Sequence, residues 1–156
     1  MTVPSPLPLA DRRFEDYVPG AVYQFGAVTV TEDDIVDFGR RFDPQPFHTD
    51  PEAAKQTIFG GLIASGWHTA GLMMRLYVQH YLSPVASLAS PGVDELRWFK
   101  PVRPGDVLSV RTTVLKADRS RSKPDRGMVQ TLIEVLNQSG EVVMSMKALN
   151  MLRARS

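Results

Sequence analysis

Hydrophobic positions along this chain change their period twice, from loose alternation to helical spacing and back to alternation. Residues 22–30 alternate apolar and polar, interrupted by Gly26, which predicts one or two short strands. Thr31-Glu-Asp-Asp34 then has the Ser/Thr-x-x-Asp/Glu form of a capping box, with Thr31 as N-cap. Ile35, Phe38 and Phe42 follow at helical spacing, so a helix is expected over about 32–42. It must end at Asp43-Pro44-Gln45-Pro46, because each proline disfavours the α conformation in the residue before it. Asp50-Pro51 restarts a short helix, with Asp50 as N-cap and Pro51 at its first position, and Phe59-Gly60-Gly61 breaks it. Ser65 can cap a longer helix from about Gly66 to Leu82, stopped by Ser83-Pro84. That helix is apolar almost all round, which predicts burial on most sides.

From about residue 88 the pattern is strands punctuated by turns. Strands are expected at Glu95–Lys100, at Val107–Lys116 with Leu108, Val110, Thr112 and Val114 on one face, and at Met128–Asn137 and Glu141–Leu152. Arg103-Pro-Gly-Asp106 reads as a turn, residues 117–127 as a polar loop, and Gln138-Ser-Gly140 as a hairpin turn. Short helices, one buried helix and an antiparallel run together define an α+β domain with its helix on one sheet face.

The 156 residues make one domain, at about 100–200 residues each. The division expected is a Pro-rich arm over 1–20, lying on the surface or on a partner subunit, and a single domain over 21–156. Eighteen Lys and Arg balance 17 Asp and Glu, leaving no general electrostatic reason to bind nucleic acid or an anionic membrane. The absence of cysteine removes disulfides, thiolate metal sites and a Cys nucleophile, and three His make structural zinc improbable. The first ten residues lack a basic n-region and no apolar run reaches 18, so a soluble cytoplasmic protein is expected.

Candidate chemistry concentrates in Asp43-Pro-Gln-Pro-Phe-His48-Thr-Asp50-Pro. A carboxylate and an imidazole sit five residues apart in a Pro-stiffened loop, where an imidazole near neutrality can activate water and the carboxylate can share it or fix the tautomer. The plain alternative is a turn in which Asp43 caps and His48 packs. Downstream, Gly60-Gly-Leu-Ile-Ala-Ser-Gly66 feeds the N-terminus of the long helix, where free N–H groups suit an anion or a developing enolate. Alternatively Gly66 only packs closely and Ser65 only caps.

Together these motifs resemble the MaoC-like dehydratases, the (R)-specific enoyl-CoA hydratases. The likeness rests on Asp43, His48, Asp50, Pro51 and Ala54, on Gly61, Ile63, Ala64 and Gly66, and on Leu96-Arg-Trp-Phe-Lys-Pro-Val-Arg-Pro-Gly-Asp106. It covers roughly residues 22–152. Two departures are Gln45, where the family usually has Asn, and Phe47, where it has an aliphatic residue. The resemblance implies a hotdog fold, an antiparallel β-sheet wrapped around a long central α-helix. It implies reversible hydration of trans-2-enoyl thioesters, on CoA or acyl-carrier protein, to (3R)-hydroxyacyl thioesters. Asp43 and His48 would be catalytic. Gly66 would supply the oxyanion N–H, and Ser65, Phe47 and Ile63 would join it in binding substrate. No metal or redox cofactor is implied, and a homodimer or higher homo-oligomer is.

Asp50 is read as a cap, His68 and His80 as packed or peripheral histidines, and Trp98 and Phe99 as core and cavity-wall residues. Arg75 is assigned to a helix end or interface. The basic excess over Lys116–Arg126 is read as a solvated loop, although it, or Arg97, Lys100 and Arg103, could meet thioester-carrier phosphates. Two competing functions are a hotdog thioesterase, disfavoured because 66–82 holds no Asp or Glu, and a non-catalytic acyl-thioester binder, disfavoured by the intact Asp43–His48 pair.

Overall fold

The computed structural model describes residues 7–155. Strand β1 (Val22–Thr29) leads into helix α1 (Glu32–Phe42). Two single-turn helices follow, α2 (Pro46–Thr49) and α3 (Pro51–Ala54), and then the long α4 (Gly66–His80). Strands β2 (Ser87–Trp98), β3 (Val107–Arg119), β4 (Arg126–Leu136) and β5 (Val142–Arg153) complete the chain. The five strands form one sheet in the order β1-β3-β4-β5-β2, with every pairing antiparallel. This is the α+β arrangement of a sheet wrapped on a helix.

Period-2 patterning sets which face of the sheet receives α4. Leu108, Val110, Thr112 and Val114 of β3 are buried, beside Val129, Ile133 and Val135 of β4 and Met144, Met146 and Leu152 of β5. Met73, Leu76 and Tyr77 of α4 lie in the same core. A bulge between Phe25 and Val28 bends β1; Gly26 takes φ +80°, a conformation that favours glycine, and a Cβ there would press on the Leu76 side chain at 2.8 Å.

Four expectations need correction. The long helix is not covered on most sides: Trp67, Met74 and Val78 form a stripe along it that is 59%, 45% and 42% exposed. Only one sheet packs on α4, so an all-round apolar sequence leaves one stripe open. Strand β2 begins at Ser87 rather than Glu95, because it is an edge strand. It faces solvent along most of its length and is interrupted by bulges, so backbone pairing with β5 defines it and no alternation marks it. The polar loop shrinks to 120–125, since Ala117, Asp118 and Arg119 pair with Val129, Met128 and Gly127 at a sheet end where charge is tolerated. Finally, the Asp43–Asp50 loop holds a helical turn, α2, started by Pro46 at its first position, where a missing N–H costs nothing.

The first six residues of the Pro-rich arm lie outside the described residues. The remainder carries two 3-10 turns, Leu9–Asp11 and Phe14–Asp16, and does more than lie on the surface. Phe14 and Tyr17 enter the core, and the Tyr17 hydroxyl donates to the Tyr81 carbonyl (2.7 Å) and accepts from Ser83 N–H (3.0 Å).

Candidate active site

The loop that carries Asp43 and His48 is built by helix punctuation. Thr31 accepts from Asp34 N–H and starts α1; Asp43 closes it, its N–H donating to Gly39 O (2.9 Å). The prolines then force extended geometry before α2. Asp50 caps α3, accepting from Glu52 and Ala53 N–H at 3.1 and 3.2 Å, which is the capping role expected of it.

Within this loop His48 is buried and Asp43 half-buried, and Asp43 Oδ2 lies 3.2 Å from His48 Nε2. His48 Nδ1 lies 2.7 Å from the Ile63 carbonyl oxygen. A carbonyl only accepts, so Nδ1 carries a proton, and Nε2 is the ring nitrogen that faces Asp43. The same two segments are tied a second time by Ile63 N–H donating to Phe47 O (3.0 Å). Asp43 is held from two further directions: Gln45 Nε2 donates to Oδ1 (2.6 Å) and Ser65 Oγ to Oδ2 (2.8 Å). Partial burial pushes this carboxyl up. The hydrogen bonds from Gln45 and Ser65, with the nearby His48, outweigh it and hold Asp43 below the ordinary carboxylate range.

Ser65 combines the two roles between which its sequence position could not decide. Its Oγ accepts weakly from Trp67 N–H (3.3 Å) as N-cap of α4 while donating to Asp43. Gly66 is the first residue of α4. His68 and Thr69 N–H turn back to Ser65 O, whereas Gly66 N–H has no acceptor among the described residues. Asp43, His48 and Gly66 all line one cavity of about 420 Å³, with aromatic and aliphatic walls from Phe47, Phe59, Ile63, Trp67, Trp98 and Val102. All six sequence-derived site residues are therefore joined here: Asp43, Phe47, His48, Ile63 and Gly66 line the cavity, and Ser65 stands one hydrogen bond behind Asp43.

Several supporting contacts are not marked in the sequence pattern, and Trp98 and Phe99, expected in the core and on the cavity wall, line the cavity but are 44% and 56% exposed. Gly39 of α1 lies flat against the loop, and a Cβ there would be 2.6 Å from His48 O. Trp98 Nε1 donates to Gly66 O (3.0 Å), and Arg103 Nη2 donates to Phe59 O (2.8 Å), fixing the cavity lip. An isolated glycine inside a helical pattern is a readable signal for Gly39; nothing in a strand pattern marks an indole that reaches a helix end.

Other charged groups are more ordinary. In the loop cluster, Lys116 pairs with Asp118 (3.4 Å), Arg119 with Glu15 (3.2 Å) and Arg126 with Asp125 (2.9 Å). Lys100, by contrast, lines the cavity and pairs with Glu141. His68 is buried and stacked on Phe38, with centroids 5.0 Å apart, and exposed His80 lies against Phe25. Among the described residues, no group of three or more His, Asp or Glu is placed to hold a metal ion, and no helix is long and apolar enough to cross a membrane.

Comparison with known proteins places this geometry. The model of the MaoC-like domain matches residues 15–136, and the chain belongs to the MaoC-like dehydratase family, with its hotdog fold. A MaoC-like dehydratase crystal structure from Rhodospirillum rubrum superposes with a TM-score of 0.85 at 42% identity, covering 93% of this chain and 99% of that one. The uncharacterized protein YdeM of Bacillus subtilis is 29% identical over 126 residues, 81% of this chain and 88% of its own length. The 3-hydroxyacyl-thioester dehydratase Z of Mycobacterium tuberculosis is 30% identical over 110 residues, 69% of this chain and 73% of its own. The family's hydratases and dehydratases are consistent with a hydro-lyase.

Proposed function

We propose that this protein catalyses the reversible hydration of trans-2-enoyl thioesters to (3R)-hydroxyacyl thioesters, without metal or redox cofactor. The observation that carries the reading is the pairing of Asp43 Oδ2 with His48 Nε2, 3.2 Å apart on a cavity wall. Nδ1 keeps its proton on Ile63 O, so in the neutral form of the ring Nε2 offers a lone pair beside Asp43 Oδ2 and the two can share one donor. A water molecule is such a donor, offering one O–H to each. In the hydration direction its oxygen adds to C3 of the enoyl group while one of its protons passes to the pair. The C2=C3 electrons move toward the thioester carbonyl, and the pair returns a proton to C2. Atoms balance: OH is gained at C3 and H at C2. Gly66 N–H, without an acceptor among the described residues and backed by the α4 dipole, would donate to the enolate oxygen. The R configuration follows from the (R)-specific enzymes that the motifs resemble.

The carrier would be CoA or acyl-carrier protein; Lys100 lines the cavity and Arg103 is bonded to its Phe59 wall, so both are placed to meet carrier phosphates. We also propose a cytoplasmic homodimer, in which a second copy covers the apolar stripe of α4. The test is the ultraviolet absorbance of crotonyl-CoA and a longer trans-2-enoyl-CoA. Wild type should bleach the conjugated thioester, and Asp43→Asn should reduce kcat about 10²–10⁴-fold, the range for loss of a positioned acid–base group. Bleaching accompanied by stoichiometric release of free thiol would instead establish a thioesterase. Binding with neither change would establish a non-catalytic module.

A further inference from the structure

At Trp98, two independent features meet the backbone that the proposed function uses. The indole Nε1–H donates to Gly66 O at 3.0 Å, tying the end of edge strand β2 to the first residue of α4. The ring also lies flush on Gly66: a Cβ there would fall 2.4, 2.6 and 2.8 Å from Trp98 Cε2, Nε1 and Cδ2. Real Cβ atoms do not come so close, so this indole and a side chain at residue 66 exclude one another. The Gly66–Trp67 peptide is thus pinned at both ends. Its carbonyl accepts from Trp98, and its N–H donates to Ser65 Oγ, which in turn donates to Asp43. On the other side, Ala64 N–H donates to Val102 O (2.8 Å). Gly66 N–H lies between these fixed points.

The ring has a second restraint. Trp98 packs edge-to-face on Trp67, with centroids 5.2 Å apart and an interplanar angle of 79°, and both rings line the cavity. Oxyanion stabilisation depends on a donor already aimed where charge develops, so a group that limits rotation of the Gly66 backbone acts on the transition state more than on ground-state binding.

We propose that Trp98 is the positioning residue of the oxyanion donor: its indole fixes the direction of Gly66 N–H and imposes glycine at residue 66. This rests on the hydratase reading. It assigns the requirement for glycine to the protein's own tryptophan rather than to the approach of substrate.

The experiment pairs turnover with a readout that needs none. Trp98→Phe keeps a ring against Gly66 and Trp67 but deletes the donor; kcat should fall about fivefold with KM changed less than about twofold, and Trp98→Ala should cost kcat further. In two-dimensional amide spectra the Gly66 resonance should shift in both variants. Gly66→Ala should lower the melting temperature sharply in wild type and far less in the Trp98→Ala background, because the clashing ring is gone. An unchanged kcat in Trp98→Phe overturns the positioning role. Equal melting losses in the two backgrounds overturn the claim that Trp98 imposes glycine. If wild type hydrates nothing, the hydratase reading fails on its own, while the amide shift and melting coupling still decide whether Trp98 governs the Gly66 backbone.

Discussion

Asp43 accepts from Gln45 on one oxygen and from Ser65 on the other, and these bonds favour its ionised form in the folded state only. Its folded pKa is depressed, so it contributes stability fully present above the unfolded carboxylate value, about 3.9, and lost as pH falls through the lower folded value. Gln45→Ala removes one of the two donors and narrows that window. Urea midpoints of wild type and Gln45→Ala should therefore differ clearly at pH 6 and converge as the solution is acidified below the unfolded value. A difference independent of pH would mean that Gln45 acts by packing alone. The pair itself was legible in the sequence, since a carboxylate and an imidazole five residues apart in a Pro-stiffened segment bring an acid and a base together, although Asp43 also closes α1 and His48 sits in α2. The support for it was not. Gln45 is an exposed polar loop residue, and no spacing rule says that its amide turns back two residues to Asp43.

At the scale of elements, α1 is the platform on which the Asp43–His48 loop rests. Gly39 lets the helix approach His48 so closely that a Cβ would fall 2.6 Å from its carbonyl oxygen, a backbone atom that cannot swing aside. Glycine inside a helix costs about 1 kcal/mol against alanine, so Gly39→Ala would stabilise an isolated α1. In the folded protein the overpacking, at about 1–3 kcal/mol, should dominate. We expect Gly39→Ala to lower stability by about 1 kcal/mol net and to reduce kcat more than that loss explains, because His48 is displaced. Denaturation and turnover on the same preparation measure both. Helix α1 could be read from Thr31 and the Ile35-Phe38-Phe42 stripe because cap and periodicity agree. Strand β2 could not, because Pro91, Gly92 and bulges leave an edge strand held by backbone bonds that composition does not encode.

For the whole molecule, the informative error concerns α4. An apolar sequence on every side predicts burial on every side, yet Trp67, Met74 and Val78 stay open to solvent. The same side of the protein carries Val93 of β2, which shares an apolar groove with Trp67 and Met74. Sequence reports the environment of the working assembly, and one sheet covers only one side of a helix. A second copy placed with its own stripe against this one would supply the missing cover, and its β2 edge would find a partner for unpaired backbone groups. Wild type should therefore sediment at about twice 17.3 kDa. Met74→Lys places a charge in the centre of the stripe, where burial without a partner is unfavourable, and should shift the population toward 17.3 kDa while leaving the far-ultraviolet circular dichroism intact. A wild-type monomer at all concentrations would remove the dimer from the account. Because Trp67 walls the proposed active-site cavity as well as bordering this face, the Met74→Lys monomer should also lose activity through a more open, wetter site.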